Sequence, residues 1–355
     1  MVESAQDMEK RKIIFWTNIL SPHLTWFFNY ISTKFEVFVF YAEEELKERQ
    51  NQGWKKQKEN GYVACHYKDV NKFIIEDSGY IHVYCGFHLI SFFQKECGFI
   101  KVDNFSVISE APILMSATDL FLKYIKYFFY RAIYGWRVKN IFCMGDVGFK
   151  WFSRFFSPKK LFKFQYFVEN GFVDEINPQS DTKKLIYIGQ LSKRKNVSLL
   201  LEVLSFIKDT HWHLDIVGVG PEYHNLVSFL EVNDILNRVS FLNTIDNENV
   251  RRMLSGDYDC LILPSKFDGW GAVCSEALSN GVPIIVSEQC GASILVKEYG
   301  NFGFCYDGSA ESLSYQLVKI LSSKKLSISE RRAIAEGYIE VQKQRADEFS
   351  AIIGQ

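Results

Sequence analysis

No apolar run in this chain approaches the roughly 18 residues that a bilayer-spanning helix needs, so no transmembrane segment is expected. An excess of charge is missing too. Lys and Arg number 41 against 42 Asp and Glu, a formal net charge of −1, which carries no global signature of nucleic-acid binding. The eight cysteines, at 65, 85, 97, 143, 260, 274, 290 and 305, include no C-x-x-C pair. That absence speaks against compact metal and redox spacings, and the thiols read as reduced and buried. The opening MVESAQDMEKRK is polar and leads into a short apolar run, a pattern that fits neither a leader nor an anchor. Gly218-Val219-Gly220 lacks the third glycine of a dinucleotide fingerprint. His211 and His213 lie two apart with no evident third metal ligand, so a structural role is expected of them.

What is present is apolar sequence in short portions. The chain has 355 residues, 47% of them hydrophobic, enough for two domains with a core each. Apolar runs at 12–16, 35–41, 80–84 and 105–109, then at 185–188, 213–217, 260–263 and 282–286, alternate with helical stretches. This is the pattern of parallel α/β sheets. Ser21-Pro22 reads as a helix start, with His23 at the helix mouth. Glu110 follows a strand, at the carboxyl end where such sheets bind ligands. Residues 43–60 are charged and read as exposed helix or loop, and the Asn-, Asp-, Gly- and Pro-bearing stretch 168–184 places the domain linker.

Residues 263–291, LPSKFDGWGAVCSEALSNGVPIIVSEQCG, read as strand end, glycine turn, helix and second strand. Asn280-Gly281 closes the helix with a left-handed cap. The helix start would present unpaired N–H groups and a positive dipole end, and Gly269 and Gly271 would let an anion approach them. Asp268 and Glu276 are eight residues apart, a helical rise of about 12 Å. A glycosidase acid pair working with retention stands about 5 Å apart instead. The two acids therefore read either as grips on the two sugars of a sugar-diphosphate-sugar ligand, or as a solvated acid and a crossover helix.

The stretch from Asp268 to Glu276 resembles the E-x7-E region of glycosyltransferase family 4, retaining enzymes of the GT-B fold, with Asp268 in place of the first Glu. The resemblance implies two Rossmann-like α/β domains facing across a cleft: 1–175 on the acceptor side, 184–328 binding the nucleotide sugar, and 329–355 as helices crossing back. It places Asp268 and the amides after Gly269, Trp270, Gly271, Ala272 and Val273 at the donor hexose, and Glu276 on the ribose. Gly189-Gln190-Leu191-Ser192-Lys193-Arg194-Lys195 is similar to the family's second signature. There Lys195 meets the donor diphosphate, Gln190 replaces the usual arginine, and Arg194 supplies charge in its stead. Gly218 and Gly220 resemble the family's G-x-G-P-E turn near the nucleotide, Glu110 takes the approximate place of a histidine near the reacting sugar, and His23 falls on the acceptor side. Asp257-Tyr258-Asp259 mimics the D-x-D metal motif of the other glycosyltransferase fold but precedes a strand as an entry turn would. No metal site and no cofactor are implied.

Residues 121–164 stand apart. They hold ten basic residues and one acid, Asp146, interleaved with aromatics. Basic and aromatic groups on one helix suit an anionic membrane interface; the other reading is core aromatics under solvated cations. No RNA-binding motif accompanies them.

The expected function is transfer of a hexose from a UDP- or GDP-linked sugar to a hydroxyl of a glycan or lipid-linked acceptor, as in polysaccharide and O-antigen assembly. The expected place is the cytoplasmic face of the plasma membrane, with peripheral contact through 121–164. Two alternatives stay open: a sugar-nucleotide epimerase or hydrolase on the same fold, and a non-catalytic partner subunit that keeps the fold.

Overall fold

The structure, a computed structural model, describes residues 10–43, 61–72, 79–97, 104–114, 116–172, 181–207, 210–256 and 258–355. Nearly all of the charged segment 43–60, the middle of the expected linker and Asp257 lie outside the described residues.

Among the described residues the first half forms a parallel sheet of β1 (Lys12–Thr17), β2 (Glu36–Tyr41), β3 (Val63–His66), β4 (Ile81–Tyr84), β5 (Phe105–Ser109), β6 (Val138–Met144) and β7 (Leu161–Phe164). Its order is β3-β2-β1-β4-β5-β6-β7. The helices are α1 (Pro22–Ile31), α2 (Phe87–Glu96), α3 (Ala117–Tyr134) and α4 (Gly145–Phe152). The second half forms a parallel sheet of β8 (Lys183–Ile188), β9 (Trp212–Val217), β10 (Val239–Leu242), β11 (Cys260–Leu263), β12 (Ile284–Ser287) and β13 (Gly303–Tyr306), in the order β10-β9-β8-β11-β12-β13. Its helices are α5 (Val197–Phe206), α6 (Tyr223–Val232), α7 (Asn247–Leu254), α8 (Ala272–Ser279), α9 (Ser293–Tyr299) and α10 (Ala310–Ser322), followed by α11 (Ile328–Ile353).

The central strands are covered on both faces, whereas the edge strands β3, β10 and β13 are mostly half-buried. All four residues of β11 and all four of β12 are buried, as helix-covered parallel sheets require. Helix starts follow their capping residues. Ser21 accepts the His23 N–H before Pro22, and Ser116 accepts from Asp119 N–H. Ser327 and Glu330 form a reciprocal capping box that starts α11. In each sheet the strand order reverses once, at β1/β4 and at β8/β11. Loops at the carboxyl ends of those strands splay apart there, which is where ligands enter such sheets.

The last helix belongs to both halves. Tyr338 and Val341 of α11 pack into the core of the second half, whereas Ala346, Phe349 and Ile353 pack into that of the first. The Phe349 ring lies 4.5 Å from Phe142, 4.9 Å from Phe27 and 5.6 Å from Phe164. Lys163 bridges Asp146 at 2.9 Å and Glu298 at 2.8 Å, and Arg345 holds the other Glu298 oxygen at 2.9 Å, so ion pairs tie the halves along the same seam.

Candidate active site

Two loops of the second half meet at the switch point. The loop after β8 carries Gly189 to Lys195; the loop after β11 carries Asp268 to Gly271. Lys266 N–H donates to Arg194 O at 2.9 Å, and the Arg194 guanidinium donates back to Phe267 O at 2.8 Å. Arg194 is thus a strut between the loops, and its Nη1 stands 4.0 Å from the Asp268 carboxylate. The Lys195 ammonium pairs with Asp268 Oδ2 at 2.5 Å, with both side chains largely buried. Asp268 is fixed through its backbone as well: its N–H donates to Gln289 O and its carbonyl accepts from Gly291 N–H. The turn that bears it is therefore pinned to the loop before α9.

The glycines of this edge serve backbone packing. Gly218 has φ of +132°, and a Cβ on it would strike the Gly189 carbonyl oxygen; one on Gly220 would strike Leu191 O. Gly189 N–H donates to Val217 O and Leu191 N–H to Val219 O. The G-x-G turn and the Gly189 turn thus interlock backbone to backbone. Gly271 sits in the left-handed region at φ +92° and caps α8 without a side chain, so the helix mouth is bare. Gln190 is exposed, and Ala272 and Val273 are half-buried in the first turn of α8. At the other end of α8 the expected left-handed cap is in place. Gly281 has φ of +73°, its N–H donates to Leu278 O, and Val282 N–H donates to Ala277 O, a Schellman closure.

Trp270 is a core residue. Its ring is 1% exposed and its Nε1–H donates to Ser275 Oγ at 2.9 Å, so only its backbone can serve a ligand. Glu276, on α8, is 6% exposed, and burial pushes its carboxyl up to about 7 against the opposing pull of Arg251.

Across the cleft, Glu110 extends from the end of β5 against Gly269. A Cβ on that glycine would collide with the Glu110 carboxylate. Tyr166 Oη–H donates to Glu110 Oε1 at 2.6 Å. The same ring stacks on His23 at 5.4 Å and meets Trp270 edge-on at 6.4 Å. His23 therefore joins the cluster through Tyr166. Below lies a cleft of about 380 Å³ whose walls include Ser109, Glu110, Tyr127 and Tyr166, with His88 and Lys126 at exposed positions.

The structure thus brings together Lys195, Arg194, Asp268, Gly189 and Gly269 as one cluster with Glu110 facing it. Gly218 and Gly220 stand behind as packing. Tyr166 and His88 escaped the sequence reading: each is a lone polar aromatic without a motif, and only the distance between Tyr166 and Glu110, 56 residues apart in sequence, reveals the link. Asp259 pairs with Lys183 at 3.2 Å and Lys325 at 3.7 Å, and it accepts from Lys184 N–H, which makes it a strand-entry anchor. His211 precedes β9, and the His213 ring bonds Ser240 Oγ at 2.8 Å. Among the described residues no group of three or more His, Cys, Asp and Glu could hold a metal ion.

Residues 171–338 match the family described as Glycosyl transferases group 1. An uncharacterized glycosyltransferase of Methanocaldococcus jannaschii is 24% identical over 153 residues, 43% of this chain and 39% of that one. An O-antigen biosynthesis glycosyltransferase, WclY, of Escherichia coli is 23% identical over 141 residues, 40% of this chain and 38% of that one. The chain thus spans about two fifths of the length of the curated relatives it matches. In fold, the Anabaena protein HepE, solved in complex with UDP, superposes with a TM-score of 0.67 over 96% of this chain and 100% of that one, at 15% identity. The architecture of two facing parallel-sheet α/β domains is the GT-B fold.

Proposed function

We propose, from the premise that its second half is a group 1 glycosyltransferase domain, that this protein is a retaining hexosyltransferase of glycosyltransferase family 4. It moves a hexose from a UDP- or GDP-linked donor to a hydroxyl of a glycan or lipid-linked acceptor at the cytoplasmic face of the membrane. The observation that carries the reading is the Lys195–Asp268 pair at the bare N-terminus of α8, opposite Glu110.

The chemistry follows from charge. As the glycosidic C–O bond breaks, negative charge gathers on the departing diphosphate. Lys195 exchanges its partner Asp268 for that diphosphate, and the α8 dipole and Arg194 add to the field. Asp268, so released, turns to the hexose hydroxyls, while Glu276 accepts from the ribose hydroxyls. The acceptor hydroxyl enters from the cleft beside Glu110, and its proton passes to the departing phosphate oxygen on the face that the new bond forms. HepE was solved with UDP and WclY is named for O-antigen biosynthesis; both support a nucleotide-sugar donor and a polysaccharide-type acceptor.

The test is incubation with UDP-glucose and GDP-mannose and a panel of glycosides, read by proton NMR at the anomeric centre. A new glycoside with the donor's anomeric configuration is expected. Inversion defeats the retaining assignment; an epimerised or free sugar, or an untouched donor, defeats transfer itself.

A further inference from the structure

The turn that bears Asp268 has a second carboxylate beside it, supplied by the other half of the molecule. Glu110 reaches across from the end of β5 until a Cβ on Gly269 would collide with its Oε2. One turn is thus flanked by two acids, Asp268 within it and Glu110 against it. The Glu110 carboxylate is held in place. Tyr166 Oη–H donates to Oε1 at 2.6 Å, and Oε2 is the oxygen on the side of the turn. Tyr166 is itself set by the frame. It packs against the cores of both halves, its ring stacks on His23 at 5.4 Å, and its carbonyl accepts from Tyr338 Oη–H at 3.5 Å.

The basic groups at hand have other partners. Lys195 pairs with Asp268 at 2.5 Å and, on the transferase reading, passes from it to the donor diphosphate. Arg194 directs its guanidinium to Phe267 O at 2.8 Å. Lys126 and His88 line the cleft at exposed positions, and the Lys126 ammonium lies 5.5 Å over the Tyr130 ring, where water and salt screen it. The two acids are better shielded from solvent: the Asp268 side chain is 17% exposed and Glu110 is half-buried, so their charges act at a lower effective dielectric. A sugar seated on this turn meets a negative field. Its hydroxyls can donate to either acid, whereas a sugar carboxylate donates to neither and is repelled by both.

We infer that Glu110, held by Tyr166 as a positioning residue, is a specificity residue that acts with Asp268 to restrict the donor to hexoses without a carboxylate. This rests on the transferase reading and narrows its donor class. Neutral hexoses enter; the same sugar oxidised to the uronate at C6 is rejected by charge.

Calorimetry on the full chain compares two pairs that differ only at C6, UDP-glucose against UDP-glucuronate and GDP-mannose against GDP-mannuronate, with free UDP and GDP titrated in parallel. For the base that binds, the neutral sugar nucleotide is expected to bind about tenfold tighter than its uronate, or more. Glu110→Gln keeps an acceptor for Tyr166 and should bring the pair within about threefold at unchanged affinity for the free nucleotide. Glu110→Asp keeps the charge and should keep most of the preference. Tyr166→Phe releases the carboxylate from its holder and should lose part of the preference, again with free nucleotide affinity unchanged. Equal affinity of the wild type for hexose and uronate overturns the inference. So does a preference that survives Glu110→Gln, or one that Glu110→Asp and Glu110→Gln abolish alike, because shape and not charge would then decide. Loss of free nucleotide binding in Glu110→Gln places its effect on the fold and overturns the assignment. Nucleotide binding without preference between the sugars sinks this inference alone; failure of both UDP and GDP to bind sinks the transferase reading as well.

Discussion

At the residue scale, the Lys195–Asp268 pair decides most. An ammonium 2.5 Å from a carboxylate, both largely out of water, is held until a stronger anion arrives. If Lys195 meets the donor diphosphate as proposed, that contact grows with charge in the transition state, and Lys195→Ala should lower kcat tenfold or more with little change in KM. Weaker donor binding at unchanged kcat would make it a ground-state clamp. The two acids separate by ligand. Glu276→Ala should weaken free nucleotide and sugar nucleotide alike, by about 1.5–3 kcal/mol for each charged hydrogen bond lost. Asp268→Ala should spare the free nucleotide; calorimetry on both variants decides it, and equal losses at Asp268 would break the division of labour. Glu276 also sets a pH dependence. Its folded pKa, about 7, lies above its ordinary 4.5 because of burial. The folded state therefore holds a proton that the unfolded state releases, and this stability is present below pH 4.5 and lost as pH rises through 7. Glu276→Gln should raise the Tm at pH 8 more than at pH 5. On the proposed ribose role of Glu276, nucleotide affinity of the wild type should run the other way, falling below pH 7 as its carboxylate becomes protonated and can no longer accept from both ribose hydroxyls.

At the element scale, α8 and its flanking strands were legible because their signals are local. The strand Cys260–Leu263, the helix Ala272–Ser279 and the Gly281 closure all follow from apolar runs and glycine within a few residues. The Gly218 and Gly220 signal was visible but its physical cause was not. From sequence the glycines suit an approaching nucleotide; in the fold they also admit the neighbouring turn, a contact 29 residues distant that spacing cannot encode. Gly218→Ala should destabilise by more than about 2 kcal/mol, through strain at φ +132° and collision with Gly189 O. A denaturation midpoint within error of wild type would sink that account. The basic and aromatic stretch was ambiguous in sequence, and the structure divides it. Tyr127, Tyr134, Trp151 and Phe152 are buried, whereas Phe121, Phe128, Phe129 and Trp136 are exposed. Helical periodicity mixes the two sets along the chain, so composition could not sort them. Salt-sensitive flotation with anionic liposomes is expected, and replacing Lys123, Lys126 and Arg131 with Glu should abolish it. Wild-type protein that stays off such liposomes at low salt would mean that α3 faces water.

At the scale of the whole molecule, the two halves are fastened by α11 and by the Lys163, Asp146, Glu298 and Arg345 pairs. The ion pairs are partly exposed and of small worth each; the packed aromatic end of α11 matters more. Phe349→Ala should cost about 3–5 kcal/mol and loosen the first half before the second, readable as earlier loss of protection in hydrogen exchange across β1, β6 and β7. Uniform loss across both sheets would place the energy elsewhere. The route of α11 also bears on how the chain is made. During synthesis the first sheet emerges early, but the ring that fills its core leaves the ribosome only after the entire second half. Until then Phe15, Phe27, Phe142 and Phe164 face an unfilled seat, a long interval in which a nascent chain is open to chaperones or to clumping with its neighbours. Slowing translation at any point between the first sheet and residue 328 would lengthen that exposure and lower soluble yield.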